Sequence, residues 1–303
     1  IPVFLLMVLG LVFRRIGWID EAFASKLNQF VFRVPLPLLV FEDLATVDFS
    51  QIWNVKFVLF CFVATLLSIL LCAGISMLWK DRAIRGEFIQ ASYRSSAALL
   101  GIAFIQNIYG SAGMGPLMII GSVPLYNMMA VVVLSVFRPG QQGLDKTVVK
   151  RTMTGIVTNP IILGIVAGLL WSALGLPLSG IPGKTIGNIA SMATPLGLMA
   201  MGASFDIQKA VQKGRPAIVA SIMKLVGFCV IFLPAAIALG FREEELVAIL
   251  VMLGSATTVS CYVMARNMGH EGVLTSSTVM LTTLFSAFTL TGWLFLLRSA
   301  GLI

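Results

Sequence analysis

Apolar stretches of membrane-crossing length follow one another down this chain with hardly a gap, and that alone removes most folds. The 303 residues are 58% hydrophobic and only 11% charged, against about 25% charged in soluble domains. A helix needs roughly 20 mostly apolar residues to cross the hydrocarbon core. Ten stretches are read as spans, at about 1–14, 25–45, 51–79, 86–109, 112–137, 152–175, 183–205, 214–240, 244–268 and 272–299. Lipid offers backbone groups no hydrogen bonds, so spans must be helices or closed barrels, and runs this long and this apolar predict an all-α membrane protein with ten transmembrane helices. Ile1 to Phe13 is short for a span and opens in an apolar run without methionine, so further residues are expected before it.

Charge sets the expected topology. Arg14, Arg15 and Lys26 flank the first loop, Lys80, Arg82 and Arg85 the third, and Arg138, Lys146, Lys150 and Arg151 the fifth. Lys209, Lys213 and Arg215 lie in the seventh, and Arg266 borders the ninth. The even loops and the far end hold only Lys56, Lys184, Arg242 and Arg298. Cytoplasmic loops carry the excess of Lys and Arg, so the odd loops are placed in the cytoplasm of a multi-pass cell-membrane protein, with both termini outside. The formal charge of +8 is thereby assigned to topology and not to nucleic-acid binding. Four cysteines sit in apolar runs as small fillers, and His270 is the single histidine, so no familiar zinc site is expected.

Two spans depart from the apolar pattern. RSSAALLGIAFIQNIYG, from Arg94 to Gly110, carries an arginine, serines and a central glycine, Gly101, and closes on polar residues. GSATTVSCYVMARNMG, from Gly254 to Gly269, is its counterpart. Moved by 160 positions, Ser95 falls on Ser255 and Asn107 on Asn267. At a shift of 158, Pro2 and Gly10 meet Pro160 and Gly168, and at 160 Asn28 and Pro35 meet Asn188 and Pro195. Five spans per half is an odd number, so the second half enters the membrane inverted. The expected organisation is residues 1–137 as the first five-helix repeat, 138–151 as a cytoplasmic linker and 152–303 as the second, inverted repeat. Polar, interrupted segments at matching places of two halves point to a transporter's substrate site. Breaks are expected near Ala98–Gly101 and Thr258–Cys261, freeing N–H groups that bind anions.

NPIILGIVAGLL, TPLGLMAMGASF and SVPLYN, together with the two polar spans, resemble the auxin efflux carrier family, within the bile acid/sodium symporter-like superfamily, and the resemblance covers nearly the whole chain. It implies inverted five-helix repeats, a scaffold made from the first two spans of each, often dimeric, and a moving transport domain made from the other three. The fourth and ninth spans would cross as broken helices at the substrate. The family's proline near each crossing is missing here: Ala103 or Phe104 stands in that region of the fourth span, and Ser255, Ala256 and Thr257 in the ninth.

Charged residues within spans are costly and by default functional. Those found are Arg33, Arg94 and Lys224, all cationic, while Glu42, Asp43 and Glu87 lie toward span ends. That imbalance favours an anionic solute. The candidate substrate-binding residues are Arg94, Ser95, Ser96, Gly101, Tyr126, Asn127, Lys224, Ser255, Thr257, Thr258 and Ser260. Pro35, Pro37 and Pro195 are read as bending scaffold spans, Asn159 and Pro160 as starting a helix, and Gly202 as a close helix contact, possibly a dimer face. The function expected is a secondary transporter of small organic anions, carboxylates in the first place, by alternating access, with a homodimer, no cofactor, and H+ or Na+ as coupling ion left open. A membrane receptor on the same fold is the alternative. Enzymatic hydrolysis lacks a plausible acid pair or Ser–His set, and no P-loop is present for ATP.

Overall fold

The computed structural model describes residues 2–46, 54–97, 101–110, 113–140 and 146–303. The described residues are helical or in turns and connections. In the first half the helices are α1 (Pro2–Arg15), α2 (Glu21–Arg33), α3 (Pro35–Ala45), α4 (Val55–Ser76), α5 (Arg82–Tyr93), α6 (Ile102–Tyr109) and α7 (Gly115–Val136). After α8 (Lys146–Val157) the pattern recurs: α9 (Pro160–Ala173), α10 (Gly180–Ser191) and α11 (Ala193–Ala203). The short α12 (Ile207–Gln212) leads to one long helix, α13 (Gly214–Ile222) and α14 (Phe228–Ala238) joined through a π-helical turn, Met223–Gly227. Then come α15 (Glu243–Gly254), α16 (Ser260–Asn267) and α17 (Val273–Ser299).

Local chemistry explains most boundaries. Asp20, Asn54, Asp81, Asn159 and Asp206 cap α2, α4, α5, α9 and α12, each side chain accepting a first-turn N–H, as N-caps do. Pro35 stands at the first turn of α3, so the second span bends at Val34; the equivalent bend lies at Met192, between α10 and α11. The predicted sixth span, 152–175, is instead two helices. A helix already begins at Lys146, inside the predicted linker, and Asn159–Pro160 ends it and starts α9, because proline removes a donor and is best accommodated in a first turn.

Glycines seat the bundle. A methyl group on Gly10 of α1 would collide with the carbonyl oxygen of Met199 on α11, and one on Gly202 with that of Met7. In the other half, Gly168 of α9 lies against Phe41 of α3, a methyl there falling 2.8 Å from its carbonyl oxygen. Small residues let helix backbones approach where lipid supplies no hydrophobic drive. Gly202 is therefore an intrachain contact, buried against α1, and not a dimer face. Gly202→Leu is expected to prise α1 from α11 at a cost of about 1–3 kcal/mol, read as a lower melting temperature in detergent; an unchanged melt would mean the two helices are free to part.

The loops segregate as expected. Arg14 pairs with Glu21 and donates to Ala203 O, and Lys213 pairs with Glu271, on one face. There the Lys213 hydrogen bond holds the Glu271 carboxyl below its ordinary range. On the other face Asn54 donates to Glu245, Lys56 to Leu239 O, and Met114 N to Glu244. Glu87, though near a span end, is fully buried: its carboxylate accepts from Gly272 N, Thr275 N and the Thr275 hydroxyl, holding the positive end of α17.

Candidate functional site

Two helices stop in mid-bundle and their loose ends meet. α5 ends at Tyr93 and residues 94–96 run extended; α15 ends at Gly254 and the chain stays non-helical until Ser260. The predicted break at Ala98–Gly101 falls mostly on residues 98–100, outside the described residues. The second break, predicted at Thr258–Cys261, begins earlier, at Ser255. The two breaks cross at equivalent residues: the Ser95 and Ser255 hydroxyls hydrogen-bond to each other, and Ser96 N donates to Ala256 O at 3.0 Å.

Each broken end needs its carbonyls satisfied. At α5, Thr257 Oγ1 donates to Ala91 O (2.8 Å), while Thr257 N donates to the Thr282 hydroxyl. At α15, Lys224 Nζ donates to Met252 O (3.1 Å) and Leu253 O (2.7 Å). Lys224 projects from the π-helical turn and is wholly buried, so its charge lies against the negative end of α15. Lys224→Met is expected to cost about 1–3 kcal/mol by leaving the Leu253 carbonyl without this donor, seen as a lower melting temperature. Loss of binding at full stability would instead make Lys224 a solute contact.

Beside the crossing lies a cavity of ≈ 60 Å³ as space for water-sized centres. Arg94, Ser95, Ser96, Tyr126, Asn127, Thr258 and Ser260 line it, as the sequence suggested. Gly101, Lys224, Ser255 and Thr257 do not: they build the crossing behind it, Gly101 by letting the chain pass Met118 and Val251. Arg33 is exposed and outside it. The far wall was missed. Leu36, Leu39, Val40 and Asp43 of α3 face the cavity, with Ala193 and Thr194 of α11. Their spacing along α3 is that of one helix face, and it brings a carboxylate into the site despite its place near a span end.

Arg94 dominates the chemistry. It is 2% exposed. Its guanidinium donates to Asn127 Oδ1 (2.7 Å), Ser260 Oγ (2.7 Å) and Met264 Sδ (2.8 Å), and Nε has no partner. Among the described residues no carboxylate pairs with it. Asn127 is held in turn by donating to Val123 O, one turn back and next to Pro124. Tyr93 donates to Tyr126 O, and the Tyr126 hydroxyl to Met252 O. Arg94 is thus a buried cation on the cavity wall whose hydrogen-bond partners are all neutral, a costly placement for a charge without a counter-ion.

Two broken helices that meet at a buried site, within a bundle whose outer surface is apolar, have the architecture of a membrane transporter. Five helices are long and apolar enough to cross a membrane by length and composition, Val55–Ser76 and Val273–Ser299 among them. The membrane transport protein family model matches residues 1–294, and the chain belongs to that family, the auxin efflux carriers. It is 23% identical to an uncharacterized transporter of Methanothermobacter thermautotrophicus, over 97% of this chain and 95% of that one. It is 26% identical to a Rhizobium meliloti protein provisionally named as a malonate transporter, over 100% of this chain and 96% of that one. In structure it resembles the sodium proton antiporter MjNhaP1 of Methanocaldococcus jannaschii, with a TM-score of 0.66, 12% identity and coverage of 94% and 92%; at that identity the likeness is one of fold.

Proposed function

We propose that this protein is a secondary transporter of small carboxylates working by alternating access. The observation that carries the proposal is Arg94, a buried guanidinium at the helix crossing with an unpartnered Nε and, among the described residues, no acid paired to it. A carboxylate entering the cavity would complete it with charge-assisted hydrogen bonds. The cavity has room for about four to six waters' worth of atoms, which suits a short aliphatic acid better than an aromatic one. The name of the Rhizobium relative agrees with that size.

The two halves act in this proposal as inverted repeats. α1–α3 and α9–α11 form the scaffold, through which a homodimer would assemble, and the elements around the two crossing helices form the transport domain. The meeting of Ser95 with Ser255 is what a two-fold axis through the crossing requires. The repeats are not in equivalent states. Asn267 of α16 donates to Asn28 O of α2, and α16 packs on α2 and α11. The counterparts Asn107 of α6 and Asn188 of α10 are both exposed, and α6 packs chiefly on α7 and α15, not on the scaffold. Among the described residues the cavity is thus closed toward the basic, cytoplasmic loops and less covered toward the other face. The test is uptake of labelled malonate into proteoliposomes holding the purified protein. Flux above empty liposomes is expected; binding without flux would favour a receptor, and neither would end the proposal.

A further inference from the structure

The cavity lining holds one charge of each sign. Arg94 stands on the crossing segment and Asp43 on the scaffold helix α3. Asp43 is half-buried and has no hydrogen bond or ion pair to any described residue. A carboxylate bound at Arg94 would be drawn by the guanidinium and repelled by Asp43. Both charges act across the same small cavity, so the repulsion offsets much of the attraction. The load that suits such a site is less negative than the acid alone: an anion accompanied by one positive charge.

We propose, on the basis of the carboxylate reading above, that Asp43 takes up a proton as the acid binds, so that acid and proton enter and leave the site together. The balance is simple. The ionised Asp43 carboxylate gains one proton from solvent, its new O–H donates to an oxygen of the acid, and the proton returns to solvent when the acid leaves on the other side. An ammonium group carried by the solute is the rival source of positive charge. It has three N–H donors, and among the lining residues Leu36, Leu39, Val40, Val123, Val259 and Val263 have no side-chain acceptor to offer. Three donors are harder to satisfy in so small a space than one, whereas a protonated carboxyl has one donor and spends it on the acid.

Among the described residues the other ionisable groups near Asp43 are few. Glu42 neighbours it on α3 and reaches toward Gly187 of α10. Arg33 ends α2, Lys184 lies on α10, and Arg94 and Tyr126 stand across the cavity; α9 and α11 have none. Glu42 does not line the cavity.

The experiment is calorimetric binding of malonate, lactate and oxalate to the purified protein in detergent. Lactate and oxalate stay fully ionised between about pH 6 and 8, so any response to pH belongs to the protein. For the parent protein, affinity should fall up to about tenfold per pH unit. Heats in buffers of different ionisation enthalpy should report about one proton taken up per acid bound. The complex holds the extra proton, so binding is strongest at low pH and weakens as pH rises. Asp43→Asn should bind with no pH slope and no proton uptake, while Glu42→Gln keeps both. A parent protein that binds these acids without proton uptake overturns the proposal, even where Asp43→Asn fails to fold. So does an Asp43→Asn protein that keeps the slope, or tighter binding of alanine than of lactate. If no acid binds at any pH, the carboxylate reading itself falls, and this one with it.

Discussion

Arg94→Ala protein is expected to bind malonate at least about a hundredfold more weakly than its parent and to show no transport above background. Two charge-assisted hydrogen bonds to a carboxylate are worth about 1.5–3 kcal/mol each, and each 1.4 kcal/mol is tenfold. Some lost stability should accompany the change, since Asn127 Oδ1 and Ser260 Oγ both lose their donor. The control is Arg94→Lys, which keeps the positive charge but not the planar fork that grips two oxygens at once. It should recover part of the stability and little of the affinity. Malonate flux at the parental rate from folded Arg94→Ala protein would remove the electrostatic basis of the site, whatever the fold.

Much of this was legible because the membrane leaves few choices. The apolar runs set the helices, and the sidedness of Arg and Lys anticipated which loops share a face. The correspondence of Ser95 with Ser255 came from polar residues interrupting apolar runs, and these are the residues that meet. What could not be read was which side of a helix looks inward. Lys224 looked like a solute contact because a cation inside a span is costly; that cost is met by the carbonyls of Met252 and Leu253, which belong to a helix end distant in sequence. Asp43 looked peripheral from its place in the span, yet the bend at Val34 starts a new helix whose face of Leu36, Leu39 and Asp43 borders the cavity. Gly202 was recognisable as a contact, but not its partner, since a small residue marks a close approach without naming what approaches.

Joining position 107 to position 188 is expected to stop transport completely, and only after the protein has been allowed to turn over. In the structure, Asn28 and Asn267 close one face: Asn28 donates to Val263 O (3.5 Å), and Asn267 to both Asn28 O (3.3 Å) and Val263 O (2.8 Å). If the halves exchange conformations, as alternating access by inverted repeats requires, Asn188 and Asn107 must come together as Asn28 and Asn267 part. A disulfide forms only when the Cα atoms come within about 7 Å. Asn28→Cys with Asn267→Cys should therefore cross-link in the resting protein. Asn107→Cys with Asn188→Cys should cross-link only when malonate is present on both sides of the membrane. The native cysteines are all buried, so background reaction is low. Either link should hold flux at background until a reducing agent restores it, because each fixes one of two arrangements that a packed bundle cannot blend. A 107–188 pair that never links during turnover, or a linked protein that still carries malonate, would mean that solute crosses without the two faces trading places.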